Sequence, residues 1–173
     1  MNSAEIKLPR FAVGAINLAS PRLGSEVIFA TDDFFAEKSR LLKVEEPIFL
    51  PEKYDDHGKW MDGWESKRRR IPGNDHCIIR LGTKGVIKGI NINTKFFTGN
   101  HPPRGSLEGT FSTHDPNKNS KWTEILPISD LKADDNNFFP ISSELAFNYL
   151  RFNIFPDGGV ARLRVYGKPV GEW

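Results

Sequence analysis

The C-terminal stretch from Leu150 to Tyr166 constrains the fold most. Leu150, Phe152 and Ile154 alternate with Arg151, Asn153 and Phe155, then Pro156-Asp157-Gly158-Gly159 turns the chain, and Ala161, Leu163 and Val165 alternate with Arg162, Arg164 and Tyr166. A period of two puts successive side chains on opposite faces of a strand, so each apolar set marks a buried face. Two such runs about a Pro-Asp-Gly-Gly turn predict a β-hairpin. Arg162 and Arg164 then share its outer face, as a sheet surface or a subunit contact.

Upstream the pattern repeats in shorter pieces. Glu26 to Ala30 (EVIFA) reads as a strand closed by Thr31-Asp32-Asp33, and Cys77 to Leu81 and Val86 to Thr94 read as two more, with Ile90 and Ile92 inward. Ser106 to Thr113 supplies another, with Leu107, Gly109 and Phe111 on one face, and Trp122 to Pro127 a short edge. Asp130 to Asn137 reads as a polar connection. No segment carries a helical period of normal length, no βαβ unit is visible and no block recurs. Many short strands with Gly, Pro, Asn and Asp turns predict an all-β chain, most simply a jelly-roll β-sandwich.

One segment breaks the pattern. From Ser39 to about Asn74 there is no sustained period, and Pro47, Pro51 and Pro72 interrupt it. Unpatterned connections of this length are uncommon in compact domains and, when ordered, are usually functional. Phe49, Tyr54, Trp60 and Trp64 give this one rings to pack with, which predicts an ordered excursion.

At 173 residues the chain fits a single domain, 1–173, with residues 1–16 as a lead-in along its edge. The 13 phenylalanines and 4 tryptophans must supply much of the buried area. Lysine and arginine total 24 against 22 acids, a net charge of +2, which points to neither a nucleic-acid nor a membrane partner. Cys77, the lone cysteine, cannot form an internal disulfide and sits in an apolar strand as inert core. The start MNSAEIKLPR lacks an apolar signal region, and no stretch approaches a membrane span, so the expectation is a soluble cytoplasmic protein. His57, His76, His101 and His114 show no metal-binding spacing such as HExxH. No cofactor is required on this reading, and a divalent metal is left open.

The chemistry is densest between Gly58 and Gly82. Asp62 and Glu65 are candidate acid and base, each beside a tryptophan, Trp60 or Trp64, whose ring would desolvate a carboxyl and raise its pKa. The alternative is that the tryptophans are core anchors and the acids pair with arginines. Lys67 is followed by Arg68, Arg69 and Arg70, whose planar forks suit a carboxylate; the alternative is a solvated loop or ion pairs with Asp62, Glu65 and Asp75. Asp32 and Asp33 close a strand, either facing a loop-built site or capping the turn. In the second rich loop, Asn100 offers a donor and an acceptor, His101 is a candidate proton carrier or a plain exposed side chain, and Arg104 follows the stiffening diproline. The set suits a small, anionic, hydrogen-bond-rich substrate.

These blocks resemble the allantoicase (allantoate amidinohydrolase) family, specifically the first of its two related repeats. The matching segments are FATDDFFA at 29–36, EEPIFLPEKYDDHGKWMDGWESKRRR at 45–70, CIIRLG at 77–82, FFTGNHPP at 96–103 and NIFPDGGVARLRVYG at 153–167, so the resemblance covers roughly 17–173. Asn93, where the family often has Asp, and His76, where an aromatic is common, depart from it. The resemblance implies a galactose-binding-domain-like jelly roll and hydrolysis of allantoate to ureidoglycolate and urea in purine breakdown. For that hydrolysis the candidate catalytic residues are Asp62, Glu65 and His101, and the candidate substrate-binding residues are Asp32, Asp33, Trp60, Trp64, Arg68, Arg69, Arg70, Asn100 and Arg104. The resemblance also points to a homo-oligomer, or to pairing with a second repeat, which this sequence does not show. The rival readings are a non-catalytic ligand-binding module and a half-enzyme inactive alone. The reading as an enzyme requires the 58–75 excursion and the Asn100 loop to meet at one end of the sandwich.

Overall fold

The computed structural model describes residues 7–171; residues 1–6 of the expected lead-in, and 172–173, lie outside the described residues. In chain order the strands are β1 (Ile16–Asn17), β2 (Glu26–Ala30), β3 (Tyr54–Asp55), β4 (Gly58–Lys59), β5 (Trp64–Glu65), β6 (Asp75–Asn93), β7 (Arg104–Thr110), β8 (Thr123–Asp130), β9 (Asn136–Pro140), β10 (Ala146–Phe155), β11 (Gly159–Val160) and β12 (Arg162–Pro169). Short 3₁₀ turns at Arg10–Ala12, Pro21–Leu23 and Lys38–Leu42 are the only helical elements among the described residues. The chain is an all-β sandwich, as its alternation predicts. No helix among the described residues is long and apolar enough to cross a membrane.

β6 builds both layers. Its first half pairs with β10 and β2, from Asp75 opposite Ile154 to Arg80 opposite Tyr149. Its second half pairs with β12 and β9, from Gly85 opposite Pro169 to Asn93 opposite Arg162. One layer therefore runs β2, β6, β10, β7, β8 and the other β1, β12, β6, β9, with β6 passing between them. The crossing lies at Gly82–Gly85, where a Cβ on Gly82 would sit 1.7 Å from the Leu23 carbonyl oxygen, so only glycine fits. The segments 77–81 and 86–94, expected as two strands, are thus one bent strand.

The expected C-terminal hairpin is also corrected. β10 pairs with β6 and β7, and β12 with β6 and β1, so the two runs lie in different layers. Pro156 to Ala161 arches over one end of the sandwich instead of turning within a sheet. Alternation specifies which side chains face inward, and both arrangements bury the same ones. Leu150, Phe152, Ile154, Leu163 and Val165 do form the core, with Ile79, Ile90, Ile92, Leu107 and Trp64. Phe111 does not join Leu107 and Gly109 inside; it lies beyond the end of β7 and is exposed.

The excursion is ordered, as its rings predict, and it covers the outer face of β12. Leu41, Leu42 and Trp64 anchor it in the core. Arg162 and Arg164, expected on a sheet surface or in a subunit contact, are buried beneath it. The Arg162 guanidinium donates to the carbonyls of Arg40 (3.1 Å), Glu45 (2.9 Å) and Asp62 (2.9 Å), and to the Asp62 carboxylate (2.8 Å). Arg164 donates to the carbonyls of Lys43 and Val44. Backbone groups that a patternless loop leaves without a ladder are satisfied in this way by two arginines.

Candidate active site

The arch from Pro156 to Gly159 gathers the segments that sequence reasoning singled out. Glu65 pairs with Gly159 across β5 and β11, and Ser66 donates its backbone N–H to Gly158 O at 3.0 Å while its hydroxyl accepts from Gly158 N at 3.2 Å. Arg69 N donates to the Asp157 carboxylate at 2.9 Å, and Asp75 N to Pro156 O at 3.0 Å. From the other side Gly159 N donates to Asn100 O at 2.8 Å. Gly158 has φ +130°, and a Cβ there would lie 2.6 Å from Asn100 O. The Asn100 loop can therefore sit against the arch only because residue 158 is glycine.

Two chemical features result. The first is a buried carboxyl, Glu65, 8% exposed, whose Oε2 accepts from the Asn100 amide at 2.8 Å. Burial pushes its pKa up and the Asn100 bond partly opposes that shift, with no cation contributing. The second is a cavity of about 340 Å³ walled by Thr31, Asp32, Lys67, Arg68, Arg69, Arg70, Ile71 and Asp75. Arg68 and Arg70 are exposed, whereas Arg69 donates from one terminal nitrogen to Asp75 Oδ1 at 2.8 Å and from the other to Pro72 O at 3.3 Å. Excursion and Asn100 loop thus meet at one end of the sandwich.

The remaining candidates divide. His101 is half-buried, with Nδ1 buried and unpartnered. Arg104 is exposed at the start of β7, between Phe155 and Asp130 of the neighbouring strands. Asp32 lines the cavity while its carboxylate accepts from Lys67 N at 2.8 Å and Phe34 N at 3.1 Å, so it also shapes the turn. Asp33 accepts at 3.2 Å from the N–H of Lys38, the first residue of the following 3₁₀ turn, which Glu37 caps.

Three placements do not fit a ligand wall. Trp64 is fully buried, edge-on to Phe152, with Nε1 on Asp32 O at 2.8 Å, so it anchors the core. Trp60 is buried between the Arg40 guanidinium, 5.2 Å from the ring centre, and the Lys53 ammonium at 4.3 Å. Asp62 is taken up by Arg162, by Lys43 at 3.1 Å and by Ile48 N at 3.1 Å. Although burial acts against the charge, those donors together hold its carboxyl below the usual range. It is a loop clamp, with no free proton acceptor poised for chemistry.

From the sequence Asp75 stands only as a possible ion-pair partner of the arginines. It has the same parity as Cys77, Ile79 and Leu81, and a carboxylate in an inward-facing series was the available signal. Among the described residues no group of three or more His, Cys, Asp or Glu is arranged to hold a metal ion.

Comparison with known proteins identifies the family and the fold. The allantoicase repeat family model matches residues 16–170. A probable allantoicase from Ralstonia nicotianae is 48% identical over 174 residues, covering 100% of this chain and 52% of the relative. A solved allantoicase superposes with a TM-score of 0.80 at 29% identity, covering 90% of this chain and 49% of that one. The module CBM32-3 of a Clostridium perfringens glycoside hydrolase superposes at 0.66 with 16% identity, which speaks to the fold alone. The chain spans about half the length of the curated relatives it matches.

Proposed function

The chain belongs to the allantoicase family, and from that membership we propose that it supplies one repeat of an enzyme hydrolysing allantoate to ureidoglycolate and urea. The observation that carries the reading is the meeting of Glu65 with Asn100 on the arch to which Arg69, of the arginine-walled cavity, is also bonded. Allantoate has one carbon bearing a carboxylate and two ureido groups. Hydrolysis breaks one carbon–nitrogen bond at that carbon, forms a carbon–oxygen bond from water, and puts the water's second proton on the departing nitrogen.

A carboxyl whose pKa is raised by burial keeps its proton to higher pH, so Glu65 is the donor to the leaving ureido nitrogen. Asn100 orients it. Arg68 and Arg70, exposed at the cavity wall, clamp the substrate carboxylate. His101 carries the proton taken from water. No step calls on a resident metal. The curated relatives are about twice as long as this chain, which favours a second repeat, or a second copy, completing the assembly. We place the enzyme in the cytoplasm, where the free Cys77 stays reduced.

Urea release from allantoate by the chain, alone and joined to a second repeat, tests the reading. Urea from either form, abolished by Glu65→Gln in a folded variant, supports it. Inert protein in both forms, with no binding of allantoate, overturns it.

A further inference from the structure

Asp75 and Arg69 make only half of the pair their shapes allow. Asp75 is 1% exposed. Its Oδ1 accepts from Arg69 and from Thr31 Oγ1, both at 2.8 Å, yet among the described residues Oδ2 has no partner. Arg69 uses both terminal nitrogens, yet Nε, also buried, has none. Guanidinium and carboxylate normally close two parallel bonds. Buried polar atoms are nearly always satisfied, so two orphans of opposite character on one pair call for an explanation.

Both residues line the cavity. Behind its wall the pair holds one unused acceptor and one unused donor, both buried, and the charges of the pair cancel. A carboxylate would be repelled by Asp75 and an ammonium by Arg69. A neutral, planar group carrying N–H beside C=O offends neither.

We infer that Asp75 and Arg69 are the recognition pair for a ureido group, Asp75 Oδ2 accepting a ureido N–H and Arg69 Nε donating to the ureido oxygen. This rests on the allantoate reading, which it deepens: the exposed Arg68 and Arg70 hold the carboxylate end, while the buried pair selects ureide over a plain amide or alkyl arm. The terminal NH₂ group is what Asp75 reads, and the carbonyl is what Arg69 reads.

The probes are N-carbamoylglycine and N-acetylglycine, which share a carboxylate and a carbonyl and differ by NH₂ against CH₃. Affinities are measured by titration calorimetry on the full chain, with Asp75→Asn and Arg69→Lys alongside. The wild type binds the carbamoyl compound at least about tenfold more tightly, as a bond to a charged acceptor implies. Asp75→Asn removes that preference; Arg69→Lys weakens both compounds alike and leaves the preference in place. Equal affinities in the wild type overturn the inference without any variant, and so does a preference that survives Asp75→Asn in a folded protein. Allantoate binding is measured in parallel. Allantoate bound with no preference between the probes removes the ureido pair and spares the substrate; a preference with no allantoate binding does the reverse.

Discussion

The Asn100 side-chain amide donates to the Glu65 carboxylate at 2.8 Å, joining two loops separated by 35 residues in sequence. Each loop is pinned independently to the same arch, Glu65 by pairing with Gly159 and Asn100 by accepting from Gly159 N. The contact is therefore a consequence of backbone architecture, which fixes a buried carboxyl against one neutral donor and leaves it without a cation.

Replacing Glu65 with Gln removes the proton and keeps the shape. Urea release falls by roughly 10²- to 10⁴-fold, the usual worth of a positioned acid or base. In the wild type, activity declines as pH rises through the raised Glu65 pKa, and that limb disappears in the variant. The stability sign is separate. A carboxyl held above its unfolded value contributes stability at low pH that is lost as pH rises through the folded value. The variant lacks this loss, so its melting temperature at neutral pH is no lower than that of the wild type.

Asn100→Ala removes the one bond that lowers the Glu65 pKa. The alkaline limb of the pH–rate profile moves to higher pH. A limb that stays where it was separates Asn100 from the ionisation of Glu65.

Asp62→Ala leaves the Arg162 guanidinium buried without its carboxylate. Breaking one partner out of such a pair costs about 3–5 kcal/mol, read as a lower urea midpoint with loosening of residues 40–62. Because the folded Asp62 pKa is depressed, its contribution is present above the ordinary carboxylate range and is lost as pH falls through the folded value. The stability gap between wild type and Asp62→Asn accordingly narrows on acidification. A gap that is constant with pH would detach Asp62 from the ion pair.

Gly158→Ala places a methyl group against Asn100 O and forces φ +130° on a residue with a Cβ. Strain of this kind costs on the order of 1–3 kcal/mol. The Asn100 loop moves off the arch, so urea release falls more steeply than stability.

Much of this was legible in the chain. The EVIFA strand has the bounds expected, and the inward residues of β10 and β12 are those that alternation selects. Strand partners were not legible, because a period of two encodes faces and is silent on neighbours: Phe152 and Leu163 are equally well buried by a hairpin and by an arch. The excursion misled in part for a similar reason. Trp64 beside Glu65 looks like a desolvating wall, but adjacent strand residues face opposite ways, so the ring enters the core while the carboxyl turns to Asn100. Arg162 was hidden by its own rule-breaking, a charged side chain buried by a loop whose course no pattern announces.

The convergence of the two loops on one ligand is tested most directly by titrating the ¹⁵N-labelled chain with allantoate. This needs no turnover and no second repeat. The Asn100 side-chain amide and the Arg69 Nε–H resonances are predicted to shift together and to saturate with one dissociation constant. Saturable binding of allantoate that leaves both resonances in place would put the ligand elsewhere on the sandwich and contradict the site.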